Sequence, residues 1–128
     1  MSGEKVLLFH FTEGPQLKAV RTILFLMQLP ERLVRKEEYG RPIRELLEKE
    51  GDNQTAGANH MMRELDGQMV VFAGIQGDRL DSLLSLLRSN PACGNIPYKA
   101  VLTERNQNWS AYMLFEELKR EHEAMRQK

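Results

Sequence analysis

The stretch from Met69 to Thr103 constrains the fold of this chain more than any other part of it. Met69–Gly74 is a short apolar run that ends at a glycine, which is typical of a buried strand. Asp78 then offers a helix start, because its carboxylate can accept hydrogen bonds from free backbone N–H groups. The leucines that follow at helical spacing predict one buried helix face; they are Leu80, Leu83, Leu84 and Leu87. Tyr98–Thr103 is a second strand candidate, so the whole stretch predicts a right-handed parallel β-α-β unit.

The first half of the chain offers the same order of elements. Val6–Phe11 has the composition of a strand, and Pro15 suits the first position of the helix that follows. That helix is closed by Pro30. Arg32–Glu37 is a weaker strand candidate, and Ile43–Leu47 predicts a short helix with inward-facing apolar residues.

The two halves resemble one another at a fixed offset. Leu8 falls on Val71, and Gly14 falls on Gly77, as repeated supersecondary units would give. The alternative is that any two β-α segments share glycine turns and leucine stripes. We expect halves of about 5–50 and 69–126 joined by a polar linker at about 51–68. The prediction is an α/β fold, a four-stranded sheet from two similar β-α-β-α halves in a single compact domain.

Composition limits the partners and the location of the chain. Eighteen basic residues balance 18 acidic ones, so no net field recruits nucleic acid or an anionic membrane. Charges of both signs interleave, as in Glu31-Arg32 and Arg35–Glu38, which indicates a solvated face. The apolar run near the start of the chain is too short for a signal peptide or a membrane span. The lone Cys93 favours a reducing compartment, and we expect a cytoplasmic protein.

Several residues of the second half together resemble an uncharacterised family. The similarity rests on the strand Met69–Gly74, the run Lys99–Thr103, Asn106, Asn108-Trp109 and Glu121-His122. This pattern resembles the bacterial family called domain of unknown function 3783, over roughly residues 69–122. The resemblance implies a small bacterial cytosolic protein, and it implies no activity, cofactor or partner.

The loop between the last strand and the last helix is a candidate ligand-binding site. It supplies hydrogen-bonding groups from Thr103, Asn106 and Asn108 and a flat apolar surface from Trp109. Open α/β sheets bind ligands beyond the carboxyl ends of their strands. The alternative is that Asn108 caps the last helix and Trp109 packs into the core.

Nothing in the sequence identifies an enzyme. His10, His60 and His122 lie far apart and lack metal-ligand spacing, and we expect His10 to be a core residue satisfied by a neighbour. No nucleophile can be assigned together with a base, so the sequence favours a role without catalysis. We expect no metal, no cofactor, no nucleic acid and no membrane.

The first long helix carries more apolar residues than one buried face requires. Ile23, Phe25 and Leu26 belong to this surplus, and a contiguous apolar patch marks an interface. The most direct interpretation is a protein-interaction module with a protein partner or a homodimer, since a closed dimer is the commonest symmetric assembly. The alternative is a small-molecule or anion-binding regulatory domain that uses the loops after the strands. In that case the loops at Thr103–Trp109 and Tyr39–Pro42 line one groove.

Overall fold

The computed structural model describes residues 3–47 and 64–126, in which β-α-β-α occurs twice. The first half contains β1 (Lys5–Phe9), α1 (Pro15–Leu26), β2 (Glu31–Val34) and α2 (Ile43–Leu46). The second half contains β3 (Met69–Ala73), α3 (Gly77–Ser89), β4 (Tyr98–Val101) and α4 (Ala111–Arg126). Short 3₁₀ turns lie at Lys36–Glu38, Pro91–Cys93 and Asn106–Asn108. The predicted α/β fold, a single small domain with a four-stranded sheet, is confirmed.

The sheet is open and mixed, with strand order β2-β1-β3-β4. β1 pairs with β2 in parallel, and β3 pairs with β4 in parallel, as the β-α-β pattern predicted. The two central strands pair antiparallel, with Leu7 opposite Val71. Each half therefore contributes one central strand and one edge strand. In both halves the first strand is central and the second strand lies at the edge of the sheet. Whether the halves arose by duplication stays a prediction.

Apolar residues cover both faces of the sheet. All five residues of β3 are buried, which is why this strand is a continuous apolar run rather than an alternating one. One face packs against α1 and α3 through residues that include Val6, Leu8, Val70 and Phe72. The other face packs against α2 and α4 through Leu7, Phe9, Met69 and Val71. The result is a helix–sheet–helix sandwich with two separate cores.

The end of α1 is formed by a turn that no glycine in the sequence predicts. Leu29 N–H donates to Leu24 O (2.8 Å) and Gln28 N–H donates to Phe25 O (2.9 Å). These are the two bonds of a Schellman motif, with Gln28 at the left-handed position (φ 58°) where glycine is usual. The helix thus stops before Pro30, and the buried Leu29 anchors the chain as it enters β2.

Several predicted boundaries and environments need correction. The fourth strand stops at Val101, because the chain then turns into the loop that Asn106 holds. α3 begins beyond Gln76, which is its N-cap, so Asp78 lies inside the first turn. Residues 48–63, which include His60 and most of the linker proposed at about 51–68, lie outside the described residues. Among the described helices, none has the length and apolar character needed to cross a membrane.

The interleaved charges near β2 are also not a solvated face throughout. Arg32 and Glu38 are only 7% and 6% exposed. The Arg32 guanidinium binds the Glu38 carboxylate and donates to Leu46 O (2.7 Å). Burial of the pair is tolerated because each charge has a direct partner.

Candidate functional site

The loop after β4 is held by Asn106 rather than left open for a ligand. Thr103 N–H donates to Asn106 Oδ1 (2.8 Å), and Asn106 N–H donates to Thr103 Oγ1 (3.0 Å). Asn106 Nδ2 also donates to Val101 O (3.2 Å), and the residue is 9% exposed. Both ends of the Asn106 amide are therefore engaged in shaping the turn. Its role in the structure is to stabilise this loop.

Asn108 does not cap α4, contrary to the alternative considered from the sequence. Its Oδ1 accepts from Arg44 Nη1 (3.1 Å), which links the loop to α2. The cap is Ser110, whose Oγ accepts from Met113 N–H (3.2 Å). A serine directly before the apolar helix pattern was a signal for this cap, and the sequence reasoning missed it.

Trp109 forms one wall of an open cleft. It is half-buried, packs against the α2/α4 side of the core, and has the Arg105 Cζ atom 5.9 Å from its ring centroid. The cleft has a volume of about 330 Å³ and runs between the edge strand β4 and helix α4. Thr103 and Asn106 line it together with Trp109, whereas Asn108 does not. The structure thus brings together three of the four predicted ligand-binding residues.

The walls of this β4/α4 cleft combine apolar and charged side chains. Ala100 and Leu114 are buried at its floor, and Leu118 is partly buried beside them. Glu117 and Glu121 line the helix side, one turn apart on α4. The α4 side of the cleft can accept a cationic group of an extended chain or a small molecule, whereas Arg105 provides a positive charge at the loop.

The loops at Tyr39–Pro42 and Thr103–Trp109 meet, but they do not leave a groove between them at the point of contact. Ile43 N–H donates to Trp109 O (2.9 Å), and Ala111 N–H donates to Tyr39 O (3.0 Å). Pro42 and Ser110 form an isolated antiparallel bridge. Direct backbone pairing therefore joins the two loops where a shared ligand groove was expected.

The interface candidates on α1 separate into two environments. Ile23 is 6% exposed and belongs to the core, which excludes it from any contact surface. Phe25 and Leu26 are 79% and 70% exposed, the largest exposed apolar pair adjacent in sequence among the described residues. An open groove of about 760 Å³ lies along the same helix and is lined by Pro15, Lys18, Thr22 and Phe25 among others.

A polar cluster at the carboxyl end of β1 was missed by sequence reasoning. Glu64 Oε1 accepts from His10 Nδ1 (2.8 Å), Tyr39 OH (3.0 Å) and Leu65 N–H (3.2 Å). His10 is partly exposed and not a core residue, but a neighbour satisfies it as expected. Because His10 and Glu64 are 54 residues apart, no local pattern pointed to the pair.

The electrostatics of this cluster follow from its contacts. Burial raises the pKa of the Tyr39 hydroxyl, and the adjacent Glu64 charge raises it further. Burial on its own raises the pKa of the Glu64 carboxyl, but hydrogen bonds from His10 and Tyr39 outweigh burial. The pKa of Glu64 therefore lies below its usual 4.5, and the carboxylate stays ionised. Within residues 3–47 and 64–126, no three potential metal-ligating side chains of His, Cys, Asp or Glu converge.

Comparison with known proteins adds one assignment. No curated protein and no solved structure matches the chain. A family model, described as domain of unknown function (DUF3783), matches residues 68–125. The matched part contains β3, α3, β4 and nearly all of α4, and therefore every residue that lines the β4/α4 cleft. The predicted resemblance is confirmed over residues 68–125, which match the model of domain of unknown function 3783.

Proposed function

We propose that this chain is a small protein-interaction module that self-associates and has no catalytic activity of its own. The observation that carries the proposal is the exposed apolar end of α1, where Phe25 and Leu26 lie side by side in water. Burying a side chain of this size is worth about 1.5–3 kcal/mol relative to leaving it exposed. Contiguous exposed apolar surface of this kind marks an interface.

The spacing of residues along α1 suits a two-fold contact between copies. Pro15, Lys18, Thr22 and Phe25 recur at intervals of three and four residues and line the open groove on this helix. In an antiparallel contact centred beside Val20, Phe25 of each copy lies over Pro15 of the other. Lys18 then lies beside Thr22 instead of a second lysine. The surface is therefore complementary to itself, as a closed dimer requires.

The location and origin of the chain belong to the same proposal. We infer a bacterial protein of the cytoplasm whose halves arose by duplication. Support for the location comes from the single cysteine, Cys93, which is buried and whose pKa is raised by burial, so that its thiol stays protonated and unreactive. Support for duplication comes from the symmetric strand order and from the repeated β-α-β-α sequence of elements.

The test is the molar mass in solution as a function of protein concentration. Sedimentation velocity of the wild-type chain is expected to show a reversible monomer–dimer equilibrium. Phe25→Glu places a charge in the contact, so we expect the dimer dissociation constant to rise at least about tenfold. Met113→Glu is the matched control, because Met113 is also an exposed apolar residue (48%) but lies on α4. A monomer at every concentration, or equal effects of the two variants, would contradict self-association through α1.

A second candidate function, binding of a small anion at the β4/α4 cleft, is favoured by Arg105. Its guanidinium lies over the Trp109 ring and forms no ion pair with the described residues. Trp109 is the single tryptophan of the chain, so its fluorescence reports this site alone. Saturable quenching by inorganic phosphate in the wild type, lost in Arg105→Ala, would support this function. An unchanged spectrum would exclude phosphate as the ligand.

A further inference from the structure

We propose that the β4/α4 cleft binds an extended segment of another protein, which adds to the sheet as a fifth strand beside β4. This surface is separate from α1, so the proposal is independent of self-association. Its basis is an edge strand with unpaired backbone groups next to a helix that forms the second wall of an open cleft. Strand addition to an exposed edge beside a helix is a general mode of peptide recognition.

The backbone of β4 leaves specific hydrogen-bonding groups for a partner strand. β4 pairs only with β3 among the described strands, and Leu102 N–H donates to Phe72 O (2.9 Å). Alternate residues of a strand face opposite sides, so the backbone groups of Lys99 and Val101 face away from β3. The Val101 carbonyl already accepts from Asn106 Nδ2. The Lys99 N–H and C=O and the Val101 N–H therefore remain for an added strand.

The side chains around this edge define the residues that the segment carries. Ala100, Trp109 and Leu114 provide an apolar surface near the start of α4. Further along α4, Glu117 and Glu121 are four residues apart, about 6 Å along the helix axis. Alternate positions of a strand are about 6.6 Å apart, so two successive groove-facing residues can each meet one carboxylate. Glu117 Oε2 already accepts from Arg120 Nη1 (2.7 Å), and Oε1 is the oxygen left for the segment. The segment that fits has one apolar residue followed, on the same face, by two basic residues.

The same acidic wall argues against a second copy of this chain as the occupant. Antiparallel pairing of two β4 edges continues one sheet, with both α4 helices on the same face and next to each other. Glu117 and Glu121 of the two copies would then face one another, and like charges in that position repel. A basic segment of a different protein neutralises this wall instead. Two basic residues also line the cleft, but Lys99 Nζ donates to Ile96 O (2.8 Å) and the Arg105 guanidinium lies over the Trp109 ring, so neither is paired with Glu117 or Glu121.

The test uses synthetic peptides and the fluorescence of Trp109. The probe is an acetylated, amidated heptapeptide Thr-Leu-Thr-Lys-Thr-Lys-Thr, together with its reversed order, because the edge accepts a strand in either direction. One control replaces both lysines by glutamates. A second control carries N-methyl groups on the backbone amides that face β4, which removes the donors and keeps every side chain. We expect saturable binding of the basic peptide in at least one order, about tenfold or more tighter than binding of either control.

Variants of the protein locate the site. Val101→Pro removes the outward N–H, and proline is tolerated on an edge strand whose N–H faces solvent. We expect its affinity for the basic peptide to fall about tenfold, whereas the matched variant Val101→Thr, which keeps the N–H, binds as the wild type does. Circular dichroism establishes that both variants are folded. The double variant Glu117→Lys with Glu121→Lys is expected to reverse the preference, binding the acidic peptide more tightly than the basic one.

The outcomes that overturn the proposal are distinct. Absence of saturable binding by any of the peptides overturns it, as does binding of the N-methylated peptide as tight as that of its parent. An unchanged peptide preference in the double lysine variant removes the basic segment as the occupant. Phe25→Glu is expected to bind the basic peptide with unchanged affinity, and a loss there would contradict a cleft that is complete within one copy.

Discussion

The two edges of the sheet follow the same plan but differ in how they are finished. At the β2 edge, buried Arg32 binds Glu38 and the Leu46 carbonyl, so a charged pair ties the strand to the 3₁₀ turn and to α2. At the β4 edge, a neutral side chain, Asn106, holds the loop, and the space between β4 and the 16-residue α4 stays open. A buried ion pair thus stabilises the β2 edge, whereas the β4 edge borders a cleft that a partner can enter. This difference is why we assign recognition of a partner strand to β4.

The turns that follow the two central strands differ in the same sense. Gly74 (φ 75°) follows β3, and His10 (φ 69°) follows β1, so both turns need a left-handed residue. Glycine adopts this conformation without strain, whereas a residue with a Cβ atom pays roughly 1–2 kcal/mol for it. In the first half, His10 adopts the strained conformation, and its side chain donates to Glu64. In the second half, Gly74 avoids the strain but has no side chain to make such a contact.

Loss of the buried pair at the β2 edge has the largest expected effect on stability. Glu38→Ala removes the carboxylate that binds the buried Arg32 guanidinium, which we expect to lower the free energy of unfolding by about 3 kcal/mol. Urea denaturation followed by circular dichroism measures this change. The control is Arg120→Ala, which breaks the exposed Arg120–Glu117 pair (2.7 Å) and is expected to cost less than about 0.5 kcal/mol. Similar losses in the two variants would show that the β2 edge does not depend on its ion pair.

An intermediate effect is expected from exchanging residue types between the two turns. Gly74→Ala forces a Cβ into a left-handed residue and within 2.8 Å of Gly3 O, so we expect the free energy of unfolding to fall by about 2 kcal/mol. Urea denaturation measures this change.

The opposite exchange is made at position 10. His10→Gly removes the backbone strain and the Glu64 contact together, whereas His10→Ala removes the contact and keeps the strain. Thermal and urea unfolding should therefore find His10→Gly more stable than His10→Ala by about 1 kcal/mol. An alanine variant at position 10 as stable as the glycine variant would mean that this turn carries no strain.

The sequence predicts those features of the fold that depend on local pattern. β3 and α1 were located because their apolar residues follow the period of a strand or a helix over many positions. The end of α1 was not, because Gln28 occupies the position at which a sequence search expects glycine. The cleft was located in part, since Thr103 and Trp109 do line it.

The features that were missed depend on contacts between distant residues. Arg32 and Glu38 have the composition of a solvated face, but the pair is buried in the folded chain, where Arg32 also donates to Leu46 O of α2. His10 and Glu64 come together only when the sheet is formed. The open edge of β4 depends on the strand order, which no local pattern specifies. Tertiary contacts, rather than weak propensities, set these limits.

The smallest expected effect concerns Glu64, the carboxylate that accepts from His10 in the turn after β1. Because the folded-state pKa of Glu64 lies below 4.5, the group binds fewer protons when folded than when unfolded. Its contribution to stability is present above the unfolded pKa and is lost as the pH falls through the lower, folded value. Glu64→Gln should therefore reduce stability at neutral pH and flatten the acid side of the stability profile, since a glutamine does not titrate. Urea midpoints measured from neutral pH down to the acid limb test this, with Glu13→Gln as control because Glu13 is 84% exposed and only loosely paired with Arg21 (3.9 Å). If the two variants change the acid limb equally, the hydrogen bonds from His10 and Tyr39 do not favour the ionised form of Glu64. The His10–Glu64 contact then does not offset the strain of a left-handed histidine in the first turn.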